Sequence, residues 1–171
     1  MEDKKGLIER IINVFETGVP EGRYDKLVIY DDGINDSHQI TFGRSQTTEQ
    51  GNLIHLIEMY VESEGEFAGD FVPYLEKIGT IPLVDDSFFK ELLVRSARED
   101  EIMRECQDRF FDQRYWSPAQ DWFQYNAFEL PLSMLVVYDS YIHSGRVLMF
   151  LRKRFKEYPP ARGGDEKKWT T

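Results

Sequence analysis

Cysteine is nearly absent from this chain: Cys106 is the only one in 171 residues. A single thiol excludes an intrachain disulfide and any zinc site built from several cysteines. It lies in REDEIMRECQDRFF, a helical pattern in which a free cysteine packs rather than reacts. Histidine is scarce as well. His38 falls in a turn, His55 lies on a helical stretch without a role, and His143 stands four residues after Asp139. That spacing would suit a metal, but two ligands without a third do not make a zinc site, so neither metal nor cofactor is expected. A phosphate-cradling Gly-rich loop and a serine-nucleophile motif are missing too. No apolar run approaches the roughly 20 residues needed to cross a bilayer. The N-terminus, MEDKKGLIERIINVF, is charged and amphipathic and lacks a small-residue cleavage site. A chain complete as given would be cytoplasmic, and one whose leader had been removed would be secreted.

Negative charge is what the sequence has in excess. Against 21 Lys and Arg stand 31 Asp and Glu, for a net charge of −10. Such a surface repels nucleic acid and anionic membranes and attracts cations. At 41% hydrophobic residues the chain can bury one core. A single, monomeric domain over residues 1–171 is expected, with two lobes. The first takes in about residues 1–65 plus part of the C-terminal helices, the second about 66–171.

Periodicity supplies the elements. GLIERIINVFETG reads as a helix with Leu7, Ile8, Ile11, Ile12 and Phe15 on one stripe, stopped by Gly18 and Pro20. KLVIYDD and QITFGRS read as two short strands around an acidic turn, in which Gly33 or Asn35 would serve the chain reversal. TTEQGNLIHLIEMYVE is a second helix, apolar at Leu53, Leu56, Ile57 and Tyr60 and capped by Thr47 or Thr48. A turn-rich stretch follows, then one long charged helix from Asp86 to Trp116, apolar at Phe88, Leu92, Ile102 and Phe110. Ser117 and Pro118 open another helix, and Pro131 begins a strongly apolar one. The chain closes on YPPARGGDEKKWTT, a loop and the start of a helix so short that it should fray or dock weakly. The class is α+β and mainly α-helical.

The turn YDDGINDSHQITFGRSQTT carries Asp31, Asp32 and Asp36, more acid than a chain reversal needs. Either the loop is merely soluble, or a carboxylate is held there for chemistry. Glu16 sharpens the question. It falls in the last turn of the first helix, where the negative end of the dipole disfavours an ionised carboxylate. A carboxylic acid kept protonated is what protonating a leaving oxygen requires. An acid at a helix end facing a carboxylate on the following hairpin is the arrangement of lysozyme-like glycosidases.

Four motifs in order carry a resemblance to the family 46 glycoside hydrolases, the chitosanases. Glu16-Thr17, Tyr24, Asp32 after a seven-residue gap, and Ser37 five residues later resemble the family's first signature. Phe42-Gly43 falls one residue late, and Asn52 stands where the signature has an acid. CQDRFFDQRYWSPA, VVYDSYIHSGR and PPARGGDEKKW resemble three later stretches of the family. The resemblance implies a lysozyme-like, two-lobed fold with a small β-hairpin sheet flanking the cleft. It implies an inverting, endo-acting hydrolase of β-1,4 glucosamine linkages, with Glu16 as general acid and Asp32 as the base that activates water. Asp36 is the alternative base, and Ser37 or, in the second register, Thr41 orients the water. Tyr24, His38, Arg44, Ser45, Thr48 and Asn52 are the expected substrate-binding residues. Asp139 would belong to a buried supporting network with arginines, and Arg109 is the candidate to serve it here.

Chitosan is a polycation, which an acidic cleft both steers and binds, whereas anionic peptidoglycan would gain from the opposite sign. A peptidoglycan-cleaving lysozyme-like enzyme and a catalytically weak sugar-binding protein of the same fold are the alternatives. With the family's arginines lying beyond Thr171, the chain as it stands is expected to hydrolyse chitosan feebly or not at all.

Overall fold

Helix α1 (Glu2–Thr17) ends where Gly18 turns to φ 83°, a left-handed conformation that glycine adopts without steric cost. The computed structural model describes residues 2–44 and 46–171, and side chains from Lys4 onward. Of the five expected inward positions on α1, Ile8 and Ile12 are buried, whereas Leu7 and Phe15 are exposed. Helical spacing selects a direction for a side chain; whether anything covers it is decided by the rest of the chain.

Strands β1 (Leu27–Tyr30) and β2 (Gln39–Phe42) pair antiparallel with Leu27 opposite Phe42 and Tyr30 opposite Gln39. A third strand, β3 (Thr47–Thr48), adds to the far edge of β2, in the order β1-β2-β3. Thr47 and Thr48 therefore belong to the sheet and do not cap the next helix. In the turn, Asn35 (φ 60°) and Asp36 (φ 58°) supply the left-handed residues. Gly33 serves closeness instead: a Cβ there would meet Ser37 O at 2.6 Å.

Helix α2 (Leu53–Glu62) buries Leu53, Leu56, Ile57 and Tyr60 completely, the stripe that its spacing predicts. The turn-rich region holds α3 (Ala68–Phe71) and a short 3-10 turn, Val72–Tyr74. The expected long helix is broken. Helix α4 (Ser87–Glu99) stops at Asp100, whose backbone is extended, and α5 (Glu101–Phe111) starts afresh. The cause is local competition for hydrogen bonds, because the Asp100 carboxylate accepts from Ile102 N–H at 2.9 Å and caps the second helix. Phe88, expected inside, is exposed, and Phe89 takes the core position. A π-helical turn (Asp112–Trp116) leads into α6 (Ser117–Tyr125). There follow α7 (Pro131–Ser144), with Pro131 at its first position, α8 (Met149–Arg152) and α9 (Glu166–Thr170).

The chain divides into two compact units, Asn13–Phe110 and the residues up to Ile12 with Phe111–Thr171. The first has a core of edge-to-face and stacked rings from Tyr60, Phe71, Tyr74 and Phe89. The second is built on Phe111, Tyr115, Trp116 and Tyr138, with Trp122, Phe128 and Trp169 as another aromatic group. Helix α9 docks rather than frays. Trp169 is 3% exposed, the Arg152 guanidinium lies 4.0 Å over its ring, and Asp165 caps Lys168 N–H. Packing of one large ring and a cap compensate for the few hydrogen bonds of so short a helix.

Candidate active site

Glu16 is half-buried in the last turn of α1, where the final carbonyls have no partner within the helix. Its carbonyl accepts from Lys26 Nζ at 2.7 Å and from the Gln46 amide, which also reaches Glu16 Oε2 at 3.0 Å. The turn that carries the candidate acid is thereby tied to the start of β1 and to the loop after β2. A partly buried polar network lies next to it. Arg44 Nε donates to Asn13 Oδ1 at 3.1 Å, and its Nη1 pairs with Asp108. Tyr24 OH donates to Asp108 Oδ1 at 2.9 Å, and the Gln107 amide bridges Tyr24 O and Arg44 N–H. Gly43 makes that bridge possible, since a Cβ there would lie 2.5 Å from Gln107 Oε1.

This network corrects one expectation and supplies residues that sequence reasoning missed. Arg44, expected in a sugar groove, is 6% exposed and committed to Asp108 and Asn13. An extended guanidinium satisfied by a carboxylate and an amide is stable inside, where an unpaired charge would not be. Asn13, Gln107 and Asp108 were not singled out. The signal for Asn13 and Gln107 is a polar residue on the buried face of α1 and of α5, which periodicity alone reads as an interruption.

The hairpin presents the acids differently. Asp32, just past β1, is exposed, and its Oδ1 accepts from Gln39 Nε2 at 2.9 Å. Asp36 is exposed within the left-handed turn. Ser37 is half-buried, with Oγ accepting from Gln50 Nε2 at 2.9 Å. Thr41 is 5% exposed, and its Oγ1 has no hydrogen-bond partner among the described residues. A buried hydroxyl without a partner is costly and marks a place where a water or ligand oxygen belongs. Along β2 the side chains alternate, so Thr41 shares a sheet face with Gln39, the residue that holds Asp32. Glu49, 2% exposed, fixes the same strand from behind by accepting from Ile40 N–H and Leu83 N–H.

Of the other expected residues, Tyr24 and Asn52 are half-buried, His38 is exposed, and Thr48 lies opposite Thr41 across β2 and β3. Ser45 lies outside the described residues. Asp139 is not buried: its side chain is 48% exposed and pairs with His143 at 3.4 Å. The inner face of α7 is taken by Ser133, Met134, Val137, Tyr138 and Tyr141, which turns position 139 outward. Arg109 does not serve it; its guanidinium donates to Ser63 Oγ at 2.7 Å and to Met59 Sδ. Among the described residues no group of three or more His, Cys, Asp and Glu is arranged to hold a metal, and no helix is long and apolar enough to cross a membrane.

The family model for glycosyl hydrolase family 46 matches residues 10–171, and the chain belongs to that family. The chitosanase of Bacillus subtilis (strain 168) is 26% identical over 180 residues, covering 98% of this chain and 64% of the relative. A family 46 chitosanase of Gynuella sunshinyii, solved in complex with chitotetraose, superposes with a TM-score of 0.80 at 25% identity. The match covers 98% of this chain and 72% of that one. The native chitosanase of Bacillus subtilis MY002 superposes at 0.81 with 24% identity, over 98% and 73%. The mainly helical architecture with a small antiparallel sheet is thus the lysozyme-like fold of these enzymes.

Proposed function

We propose that this protein is an inverting glycoside hydrolase that cleaves β-1,4 glucosamine linkages within chitosan, with residues 1–171 acting as one domain. What carries the reading is family membership combined with an acid at the end of α1 and a braced carboxylate on the hairpin that follows. The related chitosanase structures that hold chitotetraose or six glucosamine units support a polysaccharide substrate of this class. Glu16 gives its proton to the leaving glycosidic oxygen as the C–O bond breaks. Asp32 takes a proton from the water whose oxygen attacks the anomeric carbon from the opposite face. The Thr41 hydroxyl, without a partner among the described residues, is suited to hold that water; Ser37, already bonded to Gln50, is less free to do so. Such a mechanism needs the two carboxyls roughly 6.5–9.5 Å apart, with room for a water between them.

Release of reducing ends from chitosan and from bacterial cell walls tests the reading, with product anomers followed by proton NMR. Turnover on chitosan with inversion, even at a low rate, lost in Glu16→Gln while oligosaccharide binding persists, is the expected result. Cleavage of cell walls alone would overturn the substrate, and an active Glu16→Gln would overturn the acid.

A further inference from the structure

Gln39 is 6% exposed and stands opposite Tyr30 on β2. Its Nε2 donates to Asp32 Oδ1 at 2.9 Å, and its Oε1 accepts from Gln50 N–H at 3.2 Å. The orientation of this amide is forced, because a backbone N–H can only donate and an ionised carboxylate can only accept. Gln50 braces the rest of the loop: its Oε1 accepts from Ile34 N–H at 2.6 Å and its Nε2 donates to Ser37 Oγ at 2.9 Å. The two glutamines thus tie the loop at positions 32, 34 and 37, around the left-handed pair Asn35 and Asp36. Among the described residues Asp36 has no comparable brace.

We infer that Gln39 is the positioning residue of the water-activating carboxylate, holding Asp32 through a neutral donor, with Gln50 fixing Gln39 in turn; the inference rests on Asp32 being the base. A cationic residue at position 39 would also hold a carboxylate, but its charge would make that carboxylate a weaker base. An amide orients Oδ1 with far less loss of basicity and leaves Oδ2 to receive the proton. The brace spans the connection between Tyr30 and Gln39, in which neither left-handed position, Asn35 or Asp36, is a glycine.

The experiment uses Gln39→Leu, Gln39→Glu, Asp32→Asn and Asp36→Asn in the full chain. It reads kcat and KM on chitosan, the pH profile of kcat/KM, and the Asp32 carboxyl resonance by NMR through a pH titration. Gln39→Leu should lower kcat about tenfold to a hundredfold, the scale of a misplaced reacting group, with KM little changed. Gln39→Glu sets a second carboxylate against Asp32, so the Asp32 resonance and the acid limb of kcat/KM should both move to higher pH. A Gln39→Leu enzyme with parental kcat, or an Asp32 titration unmoved in Gln39→Glu, would overturn the inference. Loss of activity in Asp36→Asn with an active Asp32→Asn would instead overturn the choice of base. The NMR arm reads the Gln39–Asp32 contact whatever the turnover of the chain.

Discussion

At the scale of single residues, Asp100 gathers three hydrogen bonds while taking no part in the proposed chemistry. It is 7% exposed and accepts from Tyr60 OH, Glu66 N–H at 2.8 Å and Ile102 N–H at 2.9 Å. Burial by itself would raise the carboxyl. The bonds from Tyr60, Ile102 and Glu66, with Arg104 nearby, overcome that and hold it below its ordinary value. On the other side of the same bond, burial and then Asp100 push the Tyr60 phenol up, so it remains a donor at all working pH. A carboxyl lowered on folding stabilises fully above its unfolded value and loses that contribution as pH falls through the folded value. Replacing Asp100 by Ala strands a phenol and two backbone N–H groups, and should cost roughly 3 kcal/mol in urea unfolding at neutral pH. The difference between parent and variant should shrink as the pH is taken below the ordinary carboxylate range; a constant difference would show that ionisation of Asp100 is irrelevant.

At the scale of elements, the meeting of α9 with the start of α7 is the instructive one. The Glu166 carboxylate accepts from Glu129 N–H at 3.0 Å and from Leu130 N–H at 2.7 Å, at the open end of a helix that begins with Pro131 and has no side-chain cap of its own. Burial works to raise this carboxyl, and the Ser133 hydroxyl and the two N–H groups lower it on balance. The sign is the same as for Asp100: the contribution is present above the unfolded value and fades as pH falls. Glu166→Ala should therefore cost about 1 kcal/mol, the usual worth of a lost cap, seen as a lower melting temperature. Trp169→Ala should cost more, about 3–5 kcal/mol, because it empties the space between Phe128, Trp122 and Arg152. Equal effects of the two changes would mean that the Glu166 carboxylate holds α9 against α7 as firmly as the Trp169 ring does.

For the whole molecule, charge is the property that acts at a distance. The net −10 attracts a polycation and raises its local concentration, an effect that salt screens over about 10 Å at 0.1 M. On the proposed reading, KM for chitosan should rise several-fold between roughly 0.05 and 0.5 M salt while kcat changes little. A salt-independent KM would place recognition in short-range contacts alone.

What the sequence by itself determined is whatever depends on local order along the chain. Residue types at helical spacing specified α2 and its four buried side chains, Pro131 specified where α7 starts, and the two β-branched runs specified the hairpin. The ordered motifs specified the family. Tertiary structure decided whatever depends on a partner distant in sequence. Arg44 reads as a groove cation until Asp108, sixty-four positions away, takes it inside. Asp100 reads as one more charge in a long helix, and only the fold brings Tyr60 OH and Glu66 N–H to the carboxylate that also caps α5. Gln39 reads as the first polar residue of a strand, and only the folded turn brings Asp32 within 2.9 Å of its amide. The physical reason is common to all three: a polar group's role is set by which other polar groups the fold brings within hydrogen-bond distance, and the one-dimensional order does not contain that list.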